Sequence, residues 1–214
     1  MSELHTLLFD LDDTLYPRDS GVWEAIRERI NAFISGGLSL PGEEAHELRS
    51  RYLKRYGATL NGLMANHDID PLDYLRFVHD VPIEKLISPD PVLREMLVHL
   101  PQKKVIFTNS YAGHAHRILT RLGVRDLFPV IIDIIALEFH NKPDPVAYPM
   151  ALRLSGDIDP RGSLLIDDRA VNLSPGADLG MRTVLVGDSS HFDSFQPDLS
   201  ITDIHQLSAA IREL

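Results

Sequence analysis

Short apolar runs closed by polar residues recur along the chain: "HTLLFDL" from position 5, "KVIFTNS" from 104, "SLLIDD" from 163 and "RTVLVGD" from 182. Continuous runs of this kind suit parallel strands buried on both faces. "FPVIIDII" around residue 131 reads as a further strand. Helical patterns lie between the runs. Ala115, Ile118, Leu119 and Leu122 follow the i, i+3, i+4, i+7 spacing, and Gly123 ends the helix. Val146 to Leu154 and Ile204 to Ile211 also read as amphipathic helices. Ser174 followed by Pro175 resembles an N-cap and first helical residue, which predicts a late helix start after a loop from Arg169 to Leu173. Strand alternating with helix predicts an α/β fold with a Rossmann-like parallel sheet core and right-handed crossovers.

Residues 18–87 break this rhythm. "VWEAIRERINAFI", "EEAHELRSRYLKRY" and "PLDYLRFVHD" are helical in pattern, and turn formers flank the segment in "YPRDSG" and "SPDP". The reading is a core of residues 1–17 and 88–214, with a helical cap of residues 18–87 inserted after the first strand. Leaving and rejoining the core at the strand tips, the insertion would lie over them.

Composition narrows the classes. The 214 residues, 44% apolar, suffice for one sizeable core and a smaller appended domain. No stretch of about 18 apolar residues occurs, so no membrane partner is expected. The apolar run near the start has no basic region before it and stops in acid, so no signal peptide is expected and the cytoplasm is the expected compartment. Cysteine is absent, which excludes disulfides and thiolate metal sites. A formal charge of −10 disfavours a nucleic acid polymer but permits a small phosphorylated metabolite, because a cation and a lysine reverse the local field. The chain is expected to act as a monomer or homodimer.

The polar residues closing the apolar runs fall at one sheet edge, where open α/β sheets bind ligands. The first run delivers Asp10 and Asp12, the second Thr108 and Asn109, and the "LLIDD" run Asp167 and Asp168; Lys142 arrives in "NKPDP". Asp10, Asp167 and Asp168 are hard oxygen ligands suited to Mg²⁺, which would offset their mutual repulsion. A carboxylate can attack phosphorus and form an aspartyl-phosphate. Thr108, Asn109 and Lys142 are candidate donors to the phosphoryl oxygens. A second acid must protonate the leaving alkoxide and later activate water, and Asp12 stands two residues beyond Asp10.

These motifs resemble those of the haloacid dehalogenase-like (HAD) hydrolase superfamily: "DLDDT" its D-x-D-x-T opening, "FTNS" the second motif, Lys142 the third and "IDD" the fourth. The resemblance implies Asp10 as nucleophile and Asp12 as acid/base. It implies a metal held by Asp10, the backbone carbonyl of Asp12, and Asp168, with Asp167 binding through water or supporting from outside. Many members carry another acid where this chain has Asn172. An acid at position 12 points away from dehalogenation, since a halide needs no proton, and toward a phosphatase or phosphomutase. "RYGATLNGLMANHDIDPLDYLRFVHD" and "FTNSYAGHAHRILTRLGV" resemble the pyrimidine 5′-nucleotidase branch, implying a nucleoside 5′-monophosphate such as UMP or CMP. Phosphoglycolate or a sugar phosphate is the alternative. "YGATLNGL" is the candidate substrate loop, with Thr59 and Asn61 as contacts.

Other chemistry-bearing residues have plainer readings. His114 and His116 are two positions apart, point to different helix faces, and read as surface or packing residues. Trp23, Tyr52 and Phe77 read as the core of the helical segment, and Arg49, Arg51, Lys54 and Arg55 as a solvated helix face. A phosphoacceptor signalling domain gathers similar groups, but its acceptor lies on a later strand and it lacks a helical insertion.

Overall fold

A computed structural model describes residues 4–187 and 195–213. Asp188, which closes the "RTVLVGD" run, lies outside the described residues. In chain order the elements are β1 (Thr6–Phe9), α1 (Val22–Leu38), α2 (Gly42–Tyr56), α3 (Thr59–Asn66), α4 (Pro71–Val78), α5 (Ile83–Leu86), α6 (Pro91–Val98), β2 (Lys103–Phe107), α7 (Ala112–Leu122), β3 (Val130–Ile132), α8 (Ala147–Ser155), β4 (Ser163–Asp167), α9 (Ala170–Asp178), β5 (Arg182–Val186), β6 (Leu199–Ile201) and α10 (Leu207–Ala210). The chain divides into two compact units, Met1–Arg18 with Ile87–Leu214, and Asp19–Leu86. Among the described residues no helix is long and apolar enough to cross a membrane.

The first unit is an α/β fold built on a six-stranded sheet in the order β3-β2-β1-β4-β5-β6, parallel at every pairing. All four residues of β1 are buried, as its central place requires. Leu8, Val105, Phe107, Ile132, Leu165 and Leu185 pack with Ala147, Tyr148, Ala151 and Leu152 of α8 in one continuous core. Phe107 and Tyr148 meet edge to face at 5.4 Å. Helix α7 ends where expected: Gly123 adopts φ 80°, a left-handed C-cap that a side chain would resist.

The topology also says where a ligand belongs. From β1 the chain proceeds outward through β2 to β3, then returns to the other side of β1 as β4. The order of strands therefore reverses at β1, and the crevice at such a reversal is the standard ligand position of open α/β sheets. Register sets Phe9 level with Ile106 and with Ile166, so the residues just beyond them share one sheet edge.

Two local expectations are corrected. Helix α9 starts at Ala170 rather than after Leu173, and Pro175 lies inside it. The backbone N–H of Arg169 is bonded to Asp167 Oδ1 at 2.9 Å, which anchors the start of the helix on the strand tip and outweighs the proline signal. β6 at the sheet edge also escapes the apolar-run criterion, because its central Ser200 is exposed.

The second unit is all helical. α1 buries Val22, Ile26, Ile30 and Ile34, α2 buries Ala45, Leu48 and Tyr52, and α4 buries Tyr74, Leu75 and Val78. "YGATLNGL" is not a loop: from Thr59 it forms α3, and Gly57 is the left-handed C-cap of α2. Gly62 faces Tyr52 so closely that a Cβ there would lie 2.4 Å from its ring, so this glycine serves helix packing. Tyr52 is buried as expected, but Trp23 and Phe77 are each 37% exposed. Phe77 lies at the rim because its ring supports the Arg29 guanidinium, 4.0 Å from the centroid, while Arg29 Nε bonds the Phe77 carbonyl at 2.8 Å.

Candidate active site

Asp10 follows β1 directly, and its N–H pairs with the Ile166 carbonyl at 2.8 Å, continuing the ladder toward β4. The turn after it is tight. Asp13 takes φ 60°, and Leu15 N–H returns to Leu11 O at 3.1 Å. Thr14 Oγ1 donates to Asp10 Oδ2 at 3.4 Å. The D-x-D-x-T spacing thus lays Asp10 and Thr14 against each other across one turn.

Lys142 ties the two acidic strand tips together. Its Nζ lies 2.8 Å from Asp10 Oδ1 and 2.6 Å from Asp167 Oδ2, and the side chain is buried. Burial alone would lower its pKa, but Asp10 and Asp167 outweigh that and push it up to about 12, so the ammonium stays charged. Lys142 is positioned through its backbone: its N–H donates to Asn109 Oδ1 at 2.7 Å and its carbonyl accepts from Asn109 Nδ2 at 2.9 Å. Asn109, expected as a donor to phosphoryl oxygens, braces Lys142 in this way. Thr108 is buried beside it, and its Oγ1 accepts from Ser110 N–H at 3.0 Å.

Asp10, Asp167 and Asp168 each place a carboxylate oxygen within 4.8 Å of the others, a spacing that suits a single hard cation. Burial, with Asp167 and Asp168 alongside, raises the pKa of Asp10 well above the carboxylate range despite the opposing pull of Lys142. Burial, with Asp167 and Asp13, lifts Asp168 to about 7 against Arg18. A cluster so reluctant to ionise gains from a divalent ion. Asp167 is already engaged by Lys142, Arg169 N–H and Asn172 Nδ2, the last at 2.9 Å, which fits a supporting part. Among the described residues Asp168 meets the long, exposed Arg18 guanidinium at 3.5 Å, which leaves it the more available ligand. Asn172 Oδ1 is buried without a hydrogen-bond partner among the described residues, and it fits a water held by a cation. The residues present therefore fit a divalent metal.

Arg18 and Tyr16 stand outside the four motifs, and Ser110 closes "FTNS" without a role assigned to it. Arg18 bridges Asp13 and Asp168, both at 3.5 Å. Ser110 Oγ donates to Asp12 Oδ2 at 2.6 Å, and Tyr16 Oη to Asp12 Oδ1 at 2.6 Å. Of the two readings of His114, surface or packing, the structure has the buried one, and it adds a contact the sequence did not suggest: Nε2 lies 2.8 Å from Asp12 Oδ1. His116 is exposed and its Nδ1 accepts from Arg125 at 2.6 Å. Thr59 is buried and Asn61 half-buried in the helical unit.

The chain is similar to known proteins. Residues 4–180 match the family described as haloacid dehalogenase-like hydrolase. Phosphate metabolism protein 8 of Saccharomyces cerevisiae is 34% identical over 191 residues, which cover 83% of this chain; the chain spans only 60% of that relative's length. Glyceraldehyde 3-phosphate phosphatase of Methanopyrus kandleri is 29% identical, with 99% of this chain and 98% of that protein covered. The crystal structure of a HAD phosphatase from Thermococcus onnurineus superposes with a TM-score of 0.67 at 19% identity, covering 97% of this chain and 98% of that one, a likeness of fold. The match runs from before β1 to beyond α9 and takes in every residue of the site, which makes the conclusion direct: the chain belongs to the haloacid dehalogenase-like hydrolases.

Proposed function

We propose that this hydrolase is a Mg²⁺-dependent phosphomonoesterase that works through an aspartyl-phosphate on Asp10, with a nucleoside 5′-monophosphate as substrate. The observation that carries the phosphatase reading is Lys142 Nζ held between Asp10 and Asp167, 2.8 and 2.6 Å away, inside a three-carboxylate cluster. Lys142 takes up Asp10 Oδ1, and Oδ2, met at 3.4 Å by the Thr14 hydroxyl, is the oxygen that attacks phosphorus. As the Asp10–phosphorus bond forms and the ester bond breaks, the leaving oxygen takes a proton from Asp12. Asp12 then removes a proton from water, whose oxygen attacks phosphorus, releasing phosphate and restoring Asp10. Asp10, the Asp12 backbone carbonyl and Asp168 would hold Mg²⁺, which when bound supplies positive charge to the cluster and to the phosphoryl oxygens. Thr108 and the Lys142 ammonium face the same charge, where positioning and electrostatics account for most of the catalysis.

The nucleotide reading rests on the likeness of the helical segment to the pyrimidine 5′-nucleotidase branch, with Thr59 and Asn61 as candidate substrate contacts. A second reading, a triose or other small sugar phosphate, is favoured by the relatives named glyceraldehyde 3-phosphate phosphatase that cover almost the whole chain. A panel of CMP, UMP, glyceraldehyde 3-phosphate and phosphoglycolate, with Mg²⁺ or with EDTA, tests both. The nucleotide reading expects CMP and UMP to be hydrolysed best and only with Mg²⁺. Turnover of the sugar phosphate while both nucleotides are ignored moves the assignment to the second reading.

A further inference from the structure

The Asp12 carboxylate is held at the strand tips by three side chains. Its Oδ1 accepts from Tyr16 Oη at 2.6 Å and faces His114 Nε2 at 2.8 Å, and its Oδ2 accepts from Ser110 Oγ at 2.6 Å. The three partners come from three separate places: the turn after β1, the tip of β2, and the first turn of α7. All three are buried. His114 sits on the inward face of α7, buried like Ala115, Ile118 and Leu119. A purely structural histidine at such a site needs one acceptor. It does not need that acceptor to be shared with two further donors, nor to be the second acid of the D-x-D pair. The convergence is on the carboxylate, not on the histidine.

We propose that His114, assisted by Ser110, is a positioning residue that fixes the aim of the Asp12 carboxylate for proton transfer to and from the reacting oxygen. This rests on the phosphatase reading above, in which Asp12 gives its proton to the ester oxygen as the phosphorus–oxygen bond breaks and later takes one from water. A carboxylate turns easily about its two side-chain torsions, and a small misalignment of a proton donor lowers the rate steeply. His114 removes that freedom from the rigid side, since its helix is packed on the sheet.

Leaving-group chemistry separates positioning from mere stability. An alkoxide needs a proton to depart, whereas p-nitrophenolate leaves without one. The specificity constant kcat/KM reports the steps through phosphoryl transfer to Asp10, so it isolates the step in which Asp12 acts as acid. The experiment measures kcat/KM of the full chain in Mg²⁺ for p-nitrophenyl phosphate and for the alkyl phosphoester turned over best in the panel above. The proteins are wild type, His114→Ala, His114→Gln and Ser110→Ala, each with its melting temperature. Expected is a loss of roughly 10–100-fold on the alkyl ester for His114→Ala against less than about threefold on the aryl ester. His114→Gln, which keeps an N–H near the Nε2 position, recovers most of the loss. Ser110→Ala shows a smaller split of the same sign and stands in if His114→Ala does not fold. Equal losses on both esters, or no loss on either, in His114→Gln and Ser110→Ala as well as in His114→Ala, overturn the proposal. A wild type that hydrolyses neither ester in Mg²⁺ instead sinks the phosphatase reading, and the proposal with it.

Discussion

Asn172 shows how finely charge is set at single positions. Its Nδ2 donates to Asp167 Oδ1 at 2.9 Å, where an aspartate would set carboxylate against carboxylate. Asn172→Asp is expected to destabilise the metal-free protein by about 1–3 kcal/mol, from a lost hydrogen bond to a charged group and an added like charge. Mg²⁺ should narrow the gap, because the new acid strengthens the hold on a cation. Thermal melts in EDTA and in Mg²⁺ check this, and an unchanged melting temperature in EDTA contradicts it. Asn109 acts differently, through the Lys142 backbone it grips at both ends of its amide. Asn109→Ala is expected to lower kcat by about 10–100-fold, since a misplaced ammonium serves transfer poorly, while the protein still folds and still binds Mg²⁺. At this scale the acids and Lys142 were legible because their chemistry and spacing are local and specific. His114 was not: its two-residue offset from His116 does put them on different faces, but only the packing of α7 on the sheet decides which face meets Asp12.

Among elements, the helices that failed the sequence reading did so where tertiary contact outweighed local signal. "YGATLNGL" reads as a substrate loop, yet its Gly57 caps α2 and its Gly62 lets α3 lie against Tyr52. Gly62→Ala is a sharp test of that packing. Alanine gains about 1 kcal/mol of helix propensity over glycine, but a Cβ placed 2.4–2.5 Å from Tyr52 Cγ and Cβ meets atoms near the backbone that cannot swing aside. The clash wins, and a net loss of about 1–3 kcal/mol is expected in denaturant unfolding followed by circular dichroism. The parallel strands were legible because burial on both faces leaves an unbroken apolar run, as in "TLLF". β6 lay beyond that criterion, being three residues long with Ser200 exposed, and α9 lay beyond the proline rule because Asp167 captures its start.

For the molecule as a whole, His205 links distant segments and makes stability depend on pH. It meets Asp90, the N-cap of α6, through Nε2 at 2.9 Å, and Asp203 through Nδ1. Partial burial alone would lower its pKa, but hydrogen bonds to Asp203 and Asp90 outweigh this and raise it above 6.5. The folded protein therefore holds this proton more tightly than the unfolded chain. The contribution is complete below pH 6.5 and fades as the pH rises through the raised folded value. His205→Gln should melt below wild type at acidic pH, with a deficit that shrinks as the pH is raised; a deficit independent of pH contradicts the assignment. The place of β1 in the sheet has a consequence for biosynthesis. Thr6 pairs with Lys103 on one flank and with Ser163 on the other, so this oily tetrapeptide leaves the ribosome long before either neighbour exists. A nascent or truncated chain that stops short of residue 163 keeps one flank bare and sticky, carries no partial activity, and calls for chaperone shelter until translation passes the fourth strand.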